Sequence, residues 1–140
     1  MNETDLLNFH HLLGQEKARK MLQRTIESGR VPHGYLFYGP VGVGKMLFAR
    51  VFASVLHCRQ RRGVDNCGVC SDCRKMRSMN HPDFLRVQPE KGSLRIAQIR
   101  ELIRKLDYPP YESKIRVVVL EDVQTMGQEA ANCLLKTLEE

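Results

Sequence analysis

The stretch from Gly39 to Met46 narrows the folds open to this chain more than any other. It reads Gly39-Pro40-Val41-Gly42-Val43-Gly44-Lys45-Met46, between the apolar run Tyr35-Leu36-Phe37-Tyr38 and a helix-like run from Leu47 to Leu56. A buried strand, a glycine-rich turn and a helix in that order form a phosphate-binding loop. Glycines let successive backbone N–H groups turn inward, and the helix N-terminus adds positive potential. The pattern asks for Gly, four free positions, Gly, Lys and then Ser or Thr. Gly39, Gly44 and Lys45 meet the first three conditions, and Lys45 is placed to meet β and γ phosphates. Met46 fails the fourth, because it has no oxygen to offer Mg²⁺. The predicted nucleotide-binding set is Gly39, Gly42, Val43, Gly44, Lys45 and Met46, with ATP or ADP as ligand. The missing hydroxyl argues against hydrolysis assisted by Mg²⁺, and a glycine turn that holds no phosphate is the competing reading.

Composition changes abruptly after the helix that follows this loop. Phe48, Val51, Phe52, Val55 and Leu56 recur at helical spacing and run out at His57-Cys58. The next segment, 58–73, is basic and poor in large apolar residues, yet carries Cys58, Cys67, Cys70 and Cys73 in the order C-x8-C-x2-C-x2-C. Such a segment cannot be held by a hydrophobic core. Four soft thiolates on one structural Zn²⁺ can hold it, since two-residue spacers let sulfurs converge on a tetrahedral ion. Disulfides compete, but Cys67, Cys70 and Cys73 are too crowded for two comfortable bridges. With four cysteines as ligands no position is open to water, so the predicted metal is structural and not catalytic. Cys133 stands apart and is expected to be a small core residue.

At 140 residues the chain is the size of one domain, read as 1–140 with 58–73 as an insert within it. The start, Met1-Asn2-Glu3-Thr4-Asp5, lacks the basic-then-apolar order of a secretory signal, and no apolar run approaches bilayer length. A cytoplasmic setting and no membrane partner are the expectations. Lys+Arg 22 against Asp+Glu 16 leaves +6, a modest surplus spread along the chain that a solvated surface explains.

Taken in order, Ala18, Met21, Leu22, Thr25 and Ile26 mark a helix closed by Gly29, and Tyr35 to Tyr38 read as a central parallel strand. Arg74 to Met79 read as a short helix, His81-Pro82-Asp83 as its stop, and Phe84-Leu85-Arg86-Val87 as a strand. Ile96, Ile99, Leu102, Ile103 and Leu106 mark another helix, and Ile115 to Leu120 a β-branched strand that ends in Glu121-Asp122. Acids at the C-terminal end of a buried parallel strand sit where open α/β sheets bind ligands, although such a pair can also simply start the next helix. A last helix turns Ala130, Leu134, Leu135 and Leu138 inward and runs to Glu140. The predicted fold class is α/β, a parallel sheet with alternating helices.

Several phrases of the chain together carry a family likeness: Gly14-Gln15 before a helix, His33-Gly34-Tyr35-Leu36-Phe37-Tyr38-Gly39-Pro40, the four cysteines after the loop helix, His81-Pro82-Asp83, and Ala131-Asn132-Cys133-Leu134-Leu135-Lys136-Thr137-Leu138-Glu139-Glu140. They resemble the bacterial clamp-loader subunits of DNA polymerase III, delta prime and its gamma/tau relatives. The resemblance covers nearly the whole chain. It implies a P-loop AAA+ core with a zinc module, working beside other clamp-loader subunits on the sliding clamp and primed DNA. It also implies a chain that stops before the later strands, the arginine finger and the collar, and so leaves a sheet edge able to pair with a second copy.

Departures from the pattern choose among siblings. Motor subunits of the gamma/tau type carry Thr or Ser after the loop lysine and an Asp-Glu pair, where this chain has Met46 and the reversed pair Glu121-Asp122. This degenerate Walker B pair and Met46 make the chain resemble delta prime, a scaffold or stator with weak or no hydrolysis. The alternatives are an active gamma/tau-like motor and a stand-alone nucleic-acid binder acting through the zinc module.

Overall fold

The computed structural model describes residues 7–12 and 14–139. The acidic start Met1 to Asp5, Leu13 and the terminal Glu140 lie outside them. The chain divides between His81 and Pro82 into two compact units.

The first unit is helical. A 3-10 turn, Phe9–His11, is capped by Asn8, whose side chain accepts from the His11 N–H at 3.2 Å. Helix α1 spans Glu16–Ser28, α2 Lys45–His57 and α3 Ser71–Arg77. Helix α1 stops where predicted, because Gly29 takes the left-handed conformation (φ 70°) that closes a helix and sends its N–H to the Ile26 carbonyl. Its buried stripe is narrower than the periodicity suggested: Leu22 and Ile26 are enclosed, while Met21 is 58% exposed. Helix α2 is enclosed more widely, with Phe48, Val51, Phe52, Ala53, Ser54 and Val55 buried. It packs on α1 and on α3. Phe9, Ile26 and Met76 are fully covered in this unit. Side chains of that size stabilise the fold by about 1.5–3 kcal/mol each.

The predicted strand Tyr35–Tyr38 is corrected. The segment is not a strand, and Leu36 and Tyr38 are 70% and 88% exposed. A β-branched or aromatic run becomes a strand only where a neighbour satisfies its N–H and C=O groups. Among the described residues none runs beside it. Tyr35 is nevertheless anchored, with its hydroxyl 3.1 Å from Thr25 Oγ1 and its ring edge-on to Phe52.

The second unit is a β–α–β–α arrangement. Strand β1 spans Phe84–Val87, α4 Ile96–Leu106, β2 Val117–Leu120 and α5 Gln128–Glu139. The strands are parallel, with Phe84 opposite Val117 and Val87 opposite Leu120. Parallel neighbours need a long crossover, which α4 supplies. Gln98 starts that helix by accepting from the Arg95 N–H at 2.9 Å. Leu94, Ile99, Leu102 and Ala130 form the covered core where α4 meets α5. The coarse fold class is borne out as a mixed helix and strand chain with a small parallel sheet. Among the described residues the sheet has two strands where three were expected, and pairing on β2 begins at Val117 rather than Ile115.

The inner face predicted for the last helix is also corrected. Ala130 is buried, but Leu135 and Leu138 are 52% and 50% exposed and Cys133 is only half-buried. Periodicity reports an apolar stripe, not whether something lies against it.

Two buried charges organise the loop that leads into β2. Asp83, fully enclosed, accepts from the backbone N–H groups of Tyr111, Glu112 and Ser113 at 2.7–2.8 Å. Arg116 donates to the carbonyls of Lys105, Tyr108 and Pro109, lies over the Tyr111 ring at 5.4 Å, and brings its Nε to 3.7 Å from Asp83. No helix among the described residues is long and apolar enough to cross a membrane.

Candidate metal centre and glycine loop

The four cysteines predicted as ligands converge. Their sulfur atoms all lie within 4.8 Å of one another. Cys67 Sγ is 4.0 Å from Cys73 Sγ, and Cys70 Sγ is 3.9 Å from Cys58 Sγ. A tetrahedron of Zn–S bonds near 2.3 Å has edges of about 3.8 Å, whereas a disulfide brings two sulfurs to about 2.05 Å. All four cysteines are free thiols. The observed edges therefore fit four thiolates around one soft cation, and not two disulfides.

Local geometry explains how the chain reaches this arrangement. Gly68 turns with φ 75°, a left-handed conformation that a side chain would strain, and so folds Cys67 back over Cys70. Cys70 caps α3, accepting from the Cys73 N–H at 3.5 Å. The Cys67 N–H donates to Cys58 Sγ and the Cys70 N–H to Cys67 Sγ, both at 3.2 Å. Arg77, one helical turn beyond Cys73, donates to the Gly68 carbonyl and braces the turn from below. Backbone donors aimed at sulfur favour thiolate over thiol.

Electrostatics differ among the four. Burial pushes the Cys58 and Cys73 thiols up. Burial acts the same way on Cys67, but the N–H groups of Val69 and Cys70 and the thiols of Cys70 and Cys58 outweigh it and bring Cys67 down to about 6. Four negative sulfurs this close repel one another, so full ionisation calls for a cation in their midst.

The glycine loop leads directly into α2, without the expected strand before it. Gly42 and Gly44 stand at φ 86° and 93°, conformations that exclude most side chains, and α2 begins directly at Lys45. Lys45 Nζ donates to the Gly39 carbonyl at 2.9 Å, so the lysine folds back over its own loop. Val41 at the loop tip is fully exposed. Met46 occupies the first turn of α2, where a hydroxyl would be needed for Mg²⁺.

The strand-end acids part company. Arg86 stands opposite Val119, and Glu121 lies two residues beyond Val119, just past the end of β2, a diagonal that a long side chain spans. Arg86 Nε and Nη2 grip Glu121 at 2.7 and 3.0 Å. That bidentate bond holds the Glu121 carboxyl below its usual range and raises Arg86 further above its own. Asp122 sits in a left-handed turn, with Gln124 Nε2 3.5 Å from its carboxylate. Sequence reading named both acids but not Arg86, which lies 35 residues away and is brought close only by strand register.

A pH prediction follows from this pair. A carboxyl depressed in the folded state stabilises the protein above its ordinary pKa, and that contribution is lost as pH falls through the folded value. Arg86→Met should move Glu121 back up toward an ordinary carboxylate and remove roughly 0.5–1 kcal/mol at neutral pH, a small sum because both side chains are partly in water. NMR titration of the Glu121 side chain in both proteins checks the direction.

The small parallel sheet with its crossover helix, the glycine turn that leads into α2 and the cluster of four cysteines define a mixed helix and strand chain. The family described as DNA polymerase III, delta subunit, matches residues 14–140, and the chain belongs to that family. Among its relatives, DNA polymerase III subunit delta' of Bacillus subtilis is 36% identical over 126 residues, covering 90% of this chain and 38% of the relative. Subunit delta' of Pseudomonas aeruginosa is 36% identical over 110 residues, 77% of this chain and 34% of that protein. Subunit tau of Escherichia coli is 32% identical over 132 residues, 94% of this chain and 20% of the relative. The chain thus spans between a fifth and two-fifths of the length of these relatives.

Proposed function

We propose that this chain belongs to a clamp-loader subunit of DNA polymerase III and acts there as a delta prime-like scaffold, with weak or no ATP hydrolysis of its own. The observation that carries this reading is Met46, an apolar side chain directly after Lys45 at the start of α2. Phosphate can still meet the loop N–H groups and Lys45, but Mg²⁺ finds no hydroxyl there. The Arg86–Glu121 pair points the same way, since a carboxylate gripped by guanidinium is a poor metal ligand.

In this role the four cysteines hold a structural Zn²⁺, and the partners are other clamp-loader subunits, with the sliding clamp and primed DNA reached through the complex in the cytoplasm. The motor reading draws on Lys45 and on the glycines already in left-handed conformations. A thermal-shift titration with ATP and with ADP, with and without Mg²⁺, separates the two. A ligand at ten times its Kd stabilises by about 1.4 kcal/mol. For the scaffold, any such shift is indifferent to Mg²⁺, and Met46→Thr makes the ATP shift Mg²⁺-dependent. ATP binding strengthened by Mg²⁺ in the unaltered chain, with turnover lost in Lys45→Ala, would establish the motor.

A further inference from the structure

Asp72 lies between Cys70 and Cys73 in the first turn of α3, yet its side chain is 1% exposed. A carboxylate that only complemented the helix end would face solvent. This one turns inward, with Oδ1 2.9 Å from Nε2 of His81 and Oδ2 2.9 Å from Nε of Arg59. His81 is itself fully enclosed and stacks on the His57 ring, with centroids 4.2 Å apart and planes 19° from parallel. His57 and Arg59 are the two chain neighbours of Cys58. One buried carboxylate–imidazole pair thus holds the chain on both sides of Cys58 and fastens it to the turn that carries Cys70 and Cys73.

Cys58 is the ligand for which such a fastening matters most. Cys67, Cys70 and Cys73 follow one another at two-residue intervals and converge through local turns. Cys58 lies across eight intervening residues, so bringing it to the others closes a longer loop and costs more entropy. An enclosed charge is costly unless it is paired, and a pair whose only result was a buried charge would gain the fold little.

We propose that Asp72 is a positioning residue for the four-sulfur centre: through His81 and Arg59 it delivers Cys58 to the other three thiolates before metal arrives. The inference rests on the Zn²⁺ reading of those cysteines, and its test separates the two. Zn²⁺ affinity is measured on the chain by competition with a chelator of known affinity, for the unaltered protein, Asp72→Asn and Arg59→Met. Thermal stability is followed with and without metal, and Co²⁺ absorption reports the ligand set. Asp72→Asn should weaken Zn²⁺ binding by about 10–100-fold while the Co²⁺ spectrum stays that of four sulfurs. Arg59→Met should weaken it less, and because that side chain is 63% exposed the variant remains folded should Asp72→Asn not. Unchanged affinity, with apo and loaded forms losing stability equally, would mean that the pair merely supports α3 and would overturn the inference. An unaltered chain that takes up no stoichiometric Zn²⁺ would overturn the metal reading itself, and the inference with it.

Discussion

If the proposed Zn²⁺ is bound, stripping it is expected to loosen the turn 67–70, while the buried Asp72–His81 pair keeps α3 in place. Segment 58–73 contributes few apolar side chains, and its sulfurs are gathered by backbone turns that no hydrophobic core enforces. Structural Zn²⁺ contributes about 10–16 kcal/mol of apparent binding energy in small tetrathiolate and related folds, so each ligand carries about 3 kcal/mol. Cys73→Ala should therefore weaken Zn²⁺ binding by over a hundredfold, at about 1.4 kcal/mol per factor of ten. Amide hydrogen exchange reads the local effect: protection at Cys67 and Cys70 should vanish on chelation, while Val51 and Val55 of α2, both fully covered, stay protected. Protection that survives chelation would separate the fold of the insert from the metal.

Asp83→Ala should be the most damaging single change in the second unit. It would strand the three N–H groups of Tyr111, Glu112 and Ser113 and remove the carboxylate beside Arg116. At about 1 kcal/mol for each unmade bond, with a further sum for the buried guanidinium, the loss is roughly 3–5 kcal/mol. Asp83→Asn should cost less. Its amide oxygen can serve the Glu112 and Ser113 donors that now share Oδ2, but its NH₂ then faces the Tyr111 N–H, donor to donor. Urea denaturation of the three proteins checks the order. An alanine variant within 1 kcal/mol of the parent would refute the account of this loop.

Elements that depend on local chemistry were legible in the sequence. Helix α2 follows from its apolar series, α1 ends at Gly29, and β1 begins at Phe84 directly after His81-Pro82-Asp83. The four cysteines were legible for the same reason, since three of them converge through turns of two residues. What depended on a distant partner was not. Tyr35 to Tyr38 have strand-forming side chains but no paired strand among the described residues, and Leu135 and Leu138 have helical spacing but little cover. Nor could spacing announce that Asp72 would be buried against His81, or that Arg86 would close on Glu121, because both meetings are created by the fold. His81-Pro82-Asp83 was visible as a phrase; the separate duties of its histidine and its aspartate were not.

The hold of Arg116 on three carbonyls sets a limit on which sequences can replace this one. Its planar fork reaches Lys105, Tyr108 and Pro109 together and lies over Tyr111, closing off the end of α4 from a position eleven residues downstream of Lys105. Lysine would keep the charge but offers a point donor on a flexible stem, unable to serve several carbonyls and a ring at once. The commonest exchange between basic residues is therefore closed at position 116, although it stays open on the solvated face of α4, and drift at this site has to carry the Tyr108-Pro109-Pro110 bend along with it.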